Sequence, residues 1–144
     1  MSQIKSRSIN LTAGLMMLLS LGSFTLLSMN SAHAMSQNEG GWVNKQYKIK
    51  GGWEILEKNG KSIIKFTDNF QTKGGPDLKI FLSKRDITSA TGKNATSNSI
   101  LLSALKSNSG AQEYVVPSNI DLNDYQSVLI HCESFSVLWG GANI

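Results

Sequence analysis

The chain has 144 residues, a formal net charge of +4, two histidines and one cysteine. A lone cysteine excludes a Cys-x-x-Cys exchange pair and a Cys-x-x-Cys-His haem attachment, and the residues cannot supply the four ligands of a structural zinc site. The lysines from Lys45 to Lys106 are scattered and interleaved with acids, which describes a solvated surface and not a nucleic-acid footprint.

Residues 1–34 read as a secretory signal peptide. Lys5 and Arg7 precede an apolar stretch from Leu11 to Leu27, and Ala32-His33-Ala34 matches the small-x-small cleavage pattern. Thr12, Gly14, Ser20, Gly22, Ser23 and Thr25 interrupt the stretch, which is short for a spanning helix of about 20 apolar residues. Cleavage after Ala34 leaves residues 35–144, a length that suits one small domain with a single core and no membrane span. It removes two basic residues and no acid, lowering the net charge from +4 to +2. The remaining chain keeps one histidine, His131, one cysteine, Cys132, and one methionine, Met35. A blue-copper site needs two histidines and a cysteine, so it is excluded as well. The expected location is periplasmic or secreted.

Residues 35–46 are polar and glycine-rich and are expected to be mobile, with the β domain running over residues 47–144. Two apolar runs, Trp53 to Lys58 and Lys61 to Phe66, flank Asn59-Gly60. Asn-Gly between apolar runs is the strongest short-range hairpin signal, because both turn residues need positive φ. A two-residue turn pairs Trp53 with Phe66 and Ile55 with Ile64 on an apolar face, and Glu54 with Lys65 on the other. Gly74-Gly75-Pro76-Asp77 reads as a strand entry, with a polar binding loop as the functional alternative. Leu78, Ile80 and Leu82 then alternate onto one face of a strand from Asp77 to Ser83. The Ser-, Thr- and Asn-rich stretch from Lys84 to Asn98 reads as an exposed loop, and Asn94-Ala95-Thr96 within it fits a glycosylation acceptor only on a eukaryotic secretory route. Gln112 to Val116 is a short strand stopped by Pro117, and Ser118 to Tyr125 a turn or single helical turn.

The last element is a second hairpin. With Glu133-Ser134 as its turn, Cys132 faces Phe135, Ile130 faces Val137 and Val128 faces Trp139, while His131 pairs with Ser136 and Leu129 with Leu138. Cys132 then lies on an apolar face and His131 on the opposite one. Short strands between turn signals, with no long helical periodicity, indicate a small all-β domain, an antiparallel sandwich or barrel.

Cys132 is the residue on which function turns, because exported proteins usually pair their thiols. An unpaired one is a thiol that meets a partner chain, a reactive group, or a small buried hydrophobe. The residues alone favour the last of these. A Cys-His hydrolytic pair is opposed by the alternation that separates the two side chains, and no acid/base constellation marks a stand-alone enzyme. No cofactor is fixed by the sequence. Non-covalent haem needs only one axial His or Cys, but His131 reads better as a partly exposed strand residue. Trp53, Trp139 and Phe66 read as core.

The order and spacing of several segments resemble the DM-thirteen domain, a small secreted β-domain found beside DOMON domains in Skeletor-like proteins. The segments are Gly51-Gly52-Trp53-Glu54-Ile55, Phe70-Gln71-Thr72 with Gly75 to Ser83, Gly110 to Pro117, Ile120 to Tyr125, and Ser127 to Ile130 followed by Cys132, Phe135 to Leu138 and Gly140. The resemblance implies a predicted electron-transfer role with a redox partner protein, resting on a cysteine that matches Cys132. The family often carries an aromatic residue just before that cysteine, where this chain has His131. Two expectations therefore compete: an exported redox module in which Cys132 is a redox thiol or ligand, and a non-catalytic binding or structural module in which Cys132 is core packing.

Overall fold

A computed structural model describes residues 37–144; the expected signal peptide lies outside the described residues. Eleven strands are formed: β1 (Gln37–Gly41), β2 (Val43–Asn44), β3 (Ile49–Lys50), β4 (Gly52–Lys58), β5 (Lys61–Phe66), β6 (Gln71–Thr72), β7 (Leu78–Ser83), β8 (Ser99–Ala104), β9 (Gln112–Val115), β10 (Ser127–Cys132) and β11 (Val137–Asn143). They assemble into a four-stranded sheet β1-β4-β5-β9, a five-stranded sheet β2-β11-β10-β7-β8 and the small ribbon β3-β6. Every pairing is antiparallel. The two larger sheets enclose one core, in which Trp53, Ile55, Ile64, Phe66 and Tyr114 from one sheet meet Leu78, Ile80, Leu82, Val128, Ile130, Cys132 and Trp139 from the other. The expected all-β sandwich is the fold. Among the described residues no helix is long and apolar enough to cross a membrane.

The Asn-Gly hairpin forms in the expected register, Trp53 opposite Phe66, Ile55 opposite Ile64 and Glu54 opposite Lys65. Asn59 and Gly60 take φ of 53° and 71°, the left-handed pair that this turn requires. The Glu54 and Lys65 side chains meet at 3.2 Å.

Within the N-terminal segment residues 37–44 form paired strands, β1 with β4 and β2 with β11. Trp42 between them stacks edge-on against Phe66 at 4.8 Å, because a large aromatic surface is better buried than solvated. The segment from Lys84 to Asn98 is not an exposed loop. Ile87, Ala90 and Ala95 are buried and form a second small core with Phe81, Leu129 and Leu138 on the outer face of the five-stranded sheet. β7 and β10 are thus covered on both faces. Asp86 caps the single helical turn at Ile87–Ser89 by accepting from Thr88 N at 2.6 Å. The structure also adds β8, for which the sequence carries no clean alternation.

The other correction concerns the last hairpin. Its turn is four residues long, Glu133–Ser136, closed by Ser136 N donating to Glu133 O at 3.2 Å and ended by Ser136 at φ 52°. Cys132 therefore faces Val137, and His131 faces Leu138. A bulge follows, with Ile130 opposite Gly140, so Trp139 is the extra residue. It turns inward and donates from Nε1 to Lys73 O at 2.9 Å. Phe135, expected against Cys132 in the core, sits at the turn tip with 67% of its surface exposed.

Candidate functional site around Cys132

β10 places Cys132 at its C-terminal end, with Leu78 of β7 and Val137 of β11 as cross-strand neighbours. Alternation along β10 puts Val128, Ile130 and Cys132 on the core side. Cys132 is free and its residue is wholly buried. The expected apolar setting is therefore present with Val128, Ile130, Val137 and Trp139, and Val137 takes the cross-strand place expected for Phe135.

The Glu133–Ser136 turn lies directly after the thiol and is tied down by a polar cluster at the start of β7, Asp77 just before the strand and Lys79 within it. Asp77 O accepts from Glu133 N at 3.1 Å. The Asp77 carboxylate accepts from Ser134 N at 3.1 Å and from Ser134 Oγ at 2.8 Å. Lys79 Nζ pairs with Asp77 at 3.2 Å and also with Glu133. The Ser134 hydroxyl is the main cause that holds the Asp77 carboxyl below its ordinary value, and the Glu133 carboxylate is the main cause that holds the Lys79 amine above its own. The Gly74-Gly75-Pro76-Asp77 segment thus enters the strand as expected, and its aspartate also latches the turn that follows Cys132. The sequence signals no such latch, because Asp77 and Ser134 are 57 residues apart.

His131 points to the opposite face, as the alternation requires, but it is not partly exposed. Only 2% of its surface is accessible. The 84–98 segment that reads as a loop covers it, and Phe81 stands edge-on at 6.0 Å. Nε2 lies 2.9 Å from Gly92 O. A carbonyl only accepts, so Nε2 carries the proton, and Nδ1 has no partner among the described residues. Neither His131 nor Cys132 borders any of the three described clefts. A haem does not fit on either residue: one ring nitrogen is committed, the other is enclosed, and the sulfur is sealed. Among the described residues no cluster of His, Cys, Asp and Glu could hold a metal ion.

Gly92 is fixed by proximity. A Cβ there would lie 2.1 Å from Ser136 O, closer than atoms can approach. Gly92→Ala is expected to displace the 90–93 turn from β11, lengthen the His131 bond and cost about 1–3 kcal/mol. Urea unfolding and the His131 ring signal in NMR check both effects.

Architecture and site together define a small antiparallel sandwich whose single cysteine is sealed in the core and, among the described residues, borders none of the three clefts. A family model described as "Electron transfer DM13" matches residues 42–144, and the chain belongs to this DM13, or DM-thirteen, family of electron-transfer domains. No curated protein and no solved structure matches the chain.

Proposed function

We propose that the protein is an exported electron-transfer module that works with a redox partner protein and uses Cys132 as its redox thiol. The observation that carries this reading is the position of the only cysteine, at a strand end one turn from solvent, in a domain of an electron-transfer family. The export part rests on the signal-like residues 1–34. In the proposed step, the turn lifts and the Cys132 thiolate attacks a partner disulfide. One bond forms between Cys132 Sγ and a partner sulfur, the partner's S–S bond breaks, and its other sulfur leaves as thiolate. A thiolate from a donor molecule then attacks the partner's sulfur in this mixed disulfide and releases Cys132. One partner sulfur is reduced and the donor is oxidised. The donor must bring the second thiol, since this chain has none.

A second reading is favoured by the burial of Cys132 among Val128, Ile130 and Trp139: the thiol is packing, and the domain carries out electron transfer by docking to a partner that owns the cofactor. Incubation of the native protein with oxidised glutathione separates the two. The first reading expects one adduct per chain without denaturant, reversed by added thiol and missing in Cys132→Ser. An adduct that forms only in denaturant would leave the second reading standing. An absorption spectrum of the same sample checks for a coloured ligand lost in Cys132→Ser.

A further inference from the structure

We propose that the cleft between residues 90–93 and the start of β11 binds a flat aromatic anion, of the chemical class of flavin mononucleotide and sulfonated quinones. The cleft has a volume of about 600 Å³, within the range of small-molecule sites. Its floor is apolar: Ala90 and Leu138 are buried and belong to the small core on the outer face of the sheet. Its rim carries Lys45 and Lys93, both exposed, and no acid lines it. Among the described residues neither lysine has a carboxylate partner. Lys45 Nζ donates to Thr88 O at 3.0 Å. The Asp86 carboxylate is within electrostatic range of Lys45 without forming an ion pair with it. An apolar slot with two amines free of ion pairs at its mouth selects a ligand with an apolar body and a negative substituent.

The walls are preformed. Gly92 and the Ser136 backbone are in contact range, and the buried His131 ring holds Gly92 O from beneath at 2.9 Å. Little ordering is left for a ligand to impose. The cleft lies on the outer face of the five-stranded sheet, where Leu138 pairs with His131 while Val137 pairs with Cys132. A bound ring would sit one strand from the thiol, yet its binding does not depend on Cys132 being redox-active.

The test is a fluorescence titration of the purified protein with flavin mononucleotide, beside uncharged riboflavin, and an NMR titration with anthraquinone-2-sulfonate. The His131 ring signal is the local reporter, told from that of His33 by a His33→Gln substitution. Saturable binding of at least one anion, tighter than riboflavin, is expected to shift that signal. The double variant Lys45→Glu/Lys93→Glu is expected to weaken anion binding by roughly tenfold and leave riboflavin unchanged. The proposal is overturned if neither anion saturates the protein at millimolar concentration. It is also overturned if binding leaves the His131 signal unmoved, or if it survives the charge reversal. These outcomes do not bear on glutathione adduct formation at Cys132, so the two proposals fail separately.

Discussion

Phe66→Ala is expected to lower the unfolding free energy by about 3–5 kcal/mol. Phe66 is wholly buried on the inner face of β5, opposite Trp53. Trp42, Phe70 and Tyr114 surround it, with ring centroids at 4.8, 4.8 and 5.2 Å. These three side chains come from the β1–β2 connection, the residues before β6, and β9, so one ring ties separate stretches of chain together. Alanine would leave a void that aromatic neighbours on three sides fill poorly. A domain of this size has about 5–15 kcal/mol in total, so the variant should lose a large share of it. Phe135→Ala is the matched control, expected within about 0.5 kcal/mol of the parent, because Phe135 is 67% exposed. Urea unfolding of the two variants measures both numbers. A hairpin in the two-residue register would bury Phe135 against Cys132 and make its truncation costly too. Near-equal losses would therefore refute the four-residue turn.

The two hairpins show how far a sequence carries the fold and where it stops. At Asn59-Gly60 the turn chemistry is local: both residues adopt positive φ cheaply, and the turn fixes the register of twelve flanking residues without help from elsewhere. At Glu133–Ser136 nothing in the residue types demands a two-residue turn. The length is settled by distant groups, Asp77 taking Ser134 and Lys79 taking Glu133, and by Trp139, which needs the bulge to reach both the core and Lys73 O. The burial of Cys132 was legible all the same, since alternation along β10 survives a change of register against β11. The burial of His131 was not. It depends on Ile87, Ala90 and Ala95, three apolar residues spread through a Ser/Thr/Asn-rich stretch, which carry no period and read as loop. The cleft over Gly92 was hidden for the same reason, because one of its walls belongs to that stretch.

Cys132 is expected to react with a dipyridyl disulfide about two to three orders of magnitude more slowly in the native protein than in the unfolded one, as an opening of part of the structure must precede attack. Global unfolding would protect it further, so a rate in this range identifies a local opening, and the latched turn is the segment that can provide it. Asp77→Ala removes the acceptor of two Ser134 hydrogen bonds and one Lys79 pair. It should speed the native reaction roughly threefold to tenfold while leaving the reaction of the unfolded chain unchanged. The latch also carries a pH signature. The Asp77 carboxyl is held below its ordinary value of 3.8, chiefly by the Ser134 hydroxyl, so the folded state favours its charged form. Its contribution is complete above that value and is lost as the pH falls below it, through the lowered folded-state value. Native Cys132 reactivity, relative to the unfolded chain at the same pH, should therefore rise on acidification below about pH 4. The rise should be smaller in Asp77→Ala, which separates the latch from the protonation of carboxylates elsewhere. A thiol equally protected in both proteins, and released only with the tryptophan fluorescence change of global unfolding, would make Cys132 part of the core and nothing more. The electrons would then have to pass through a group that the partner brings.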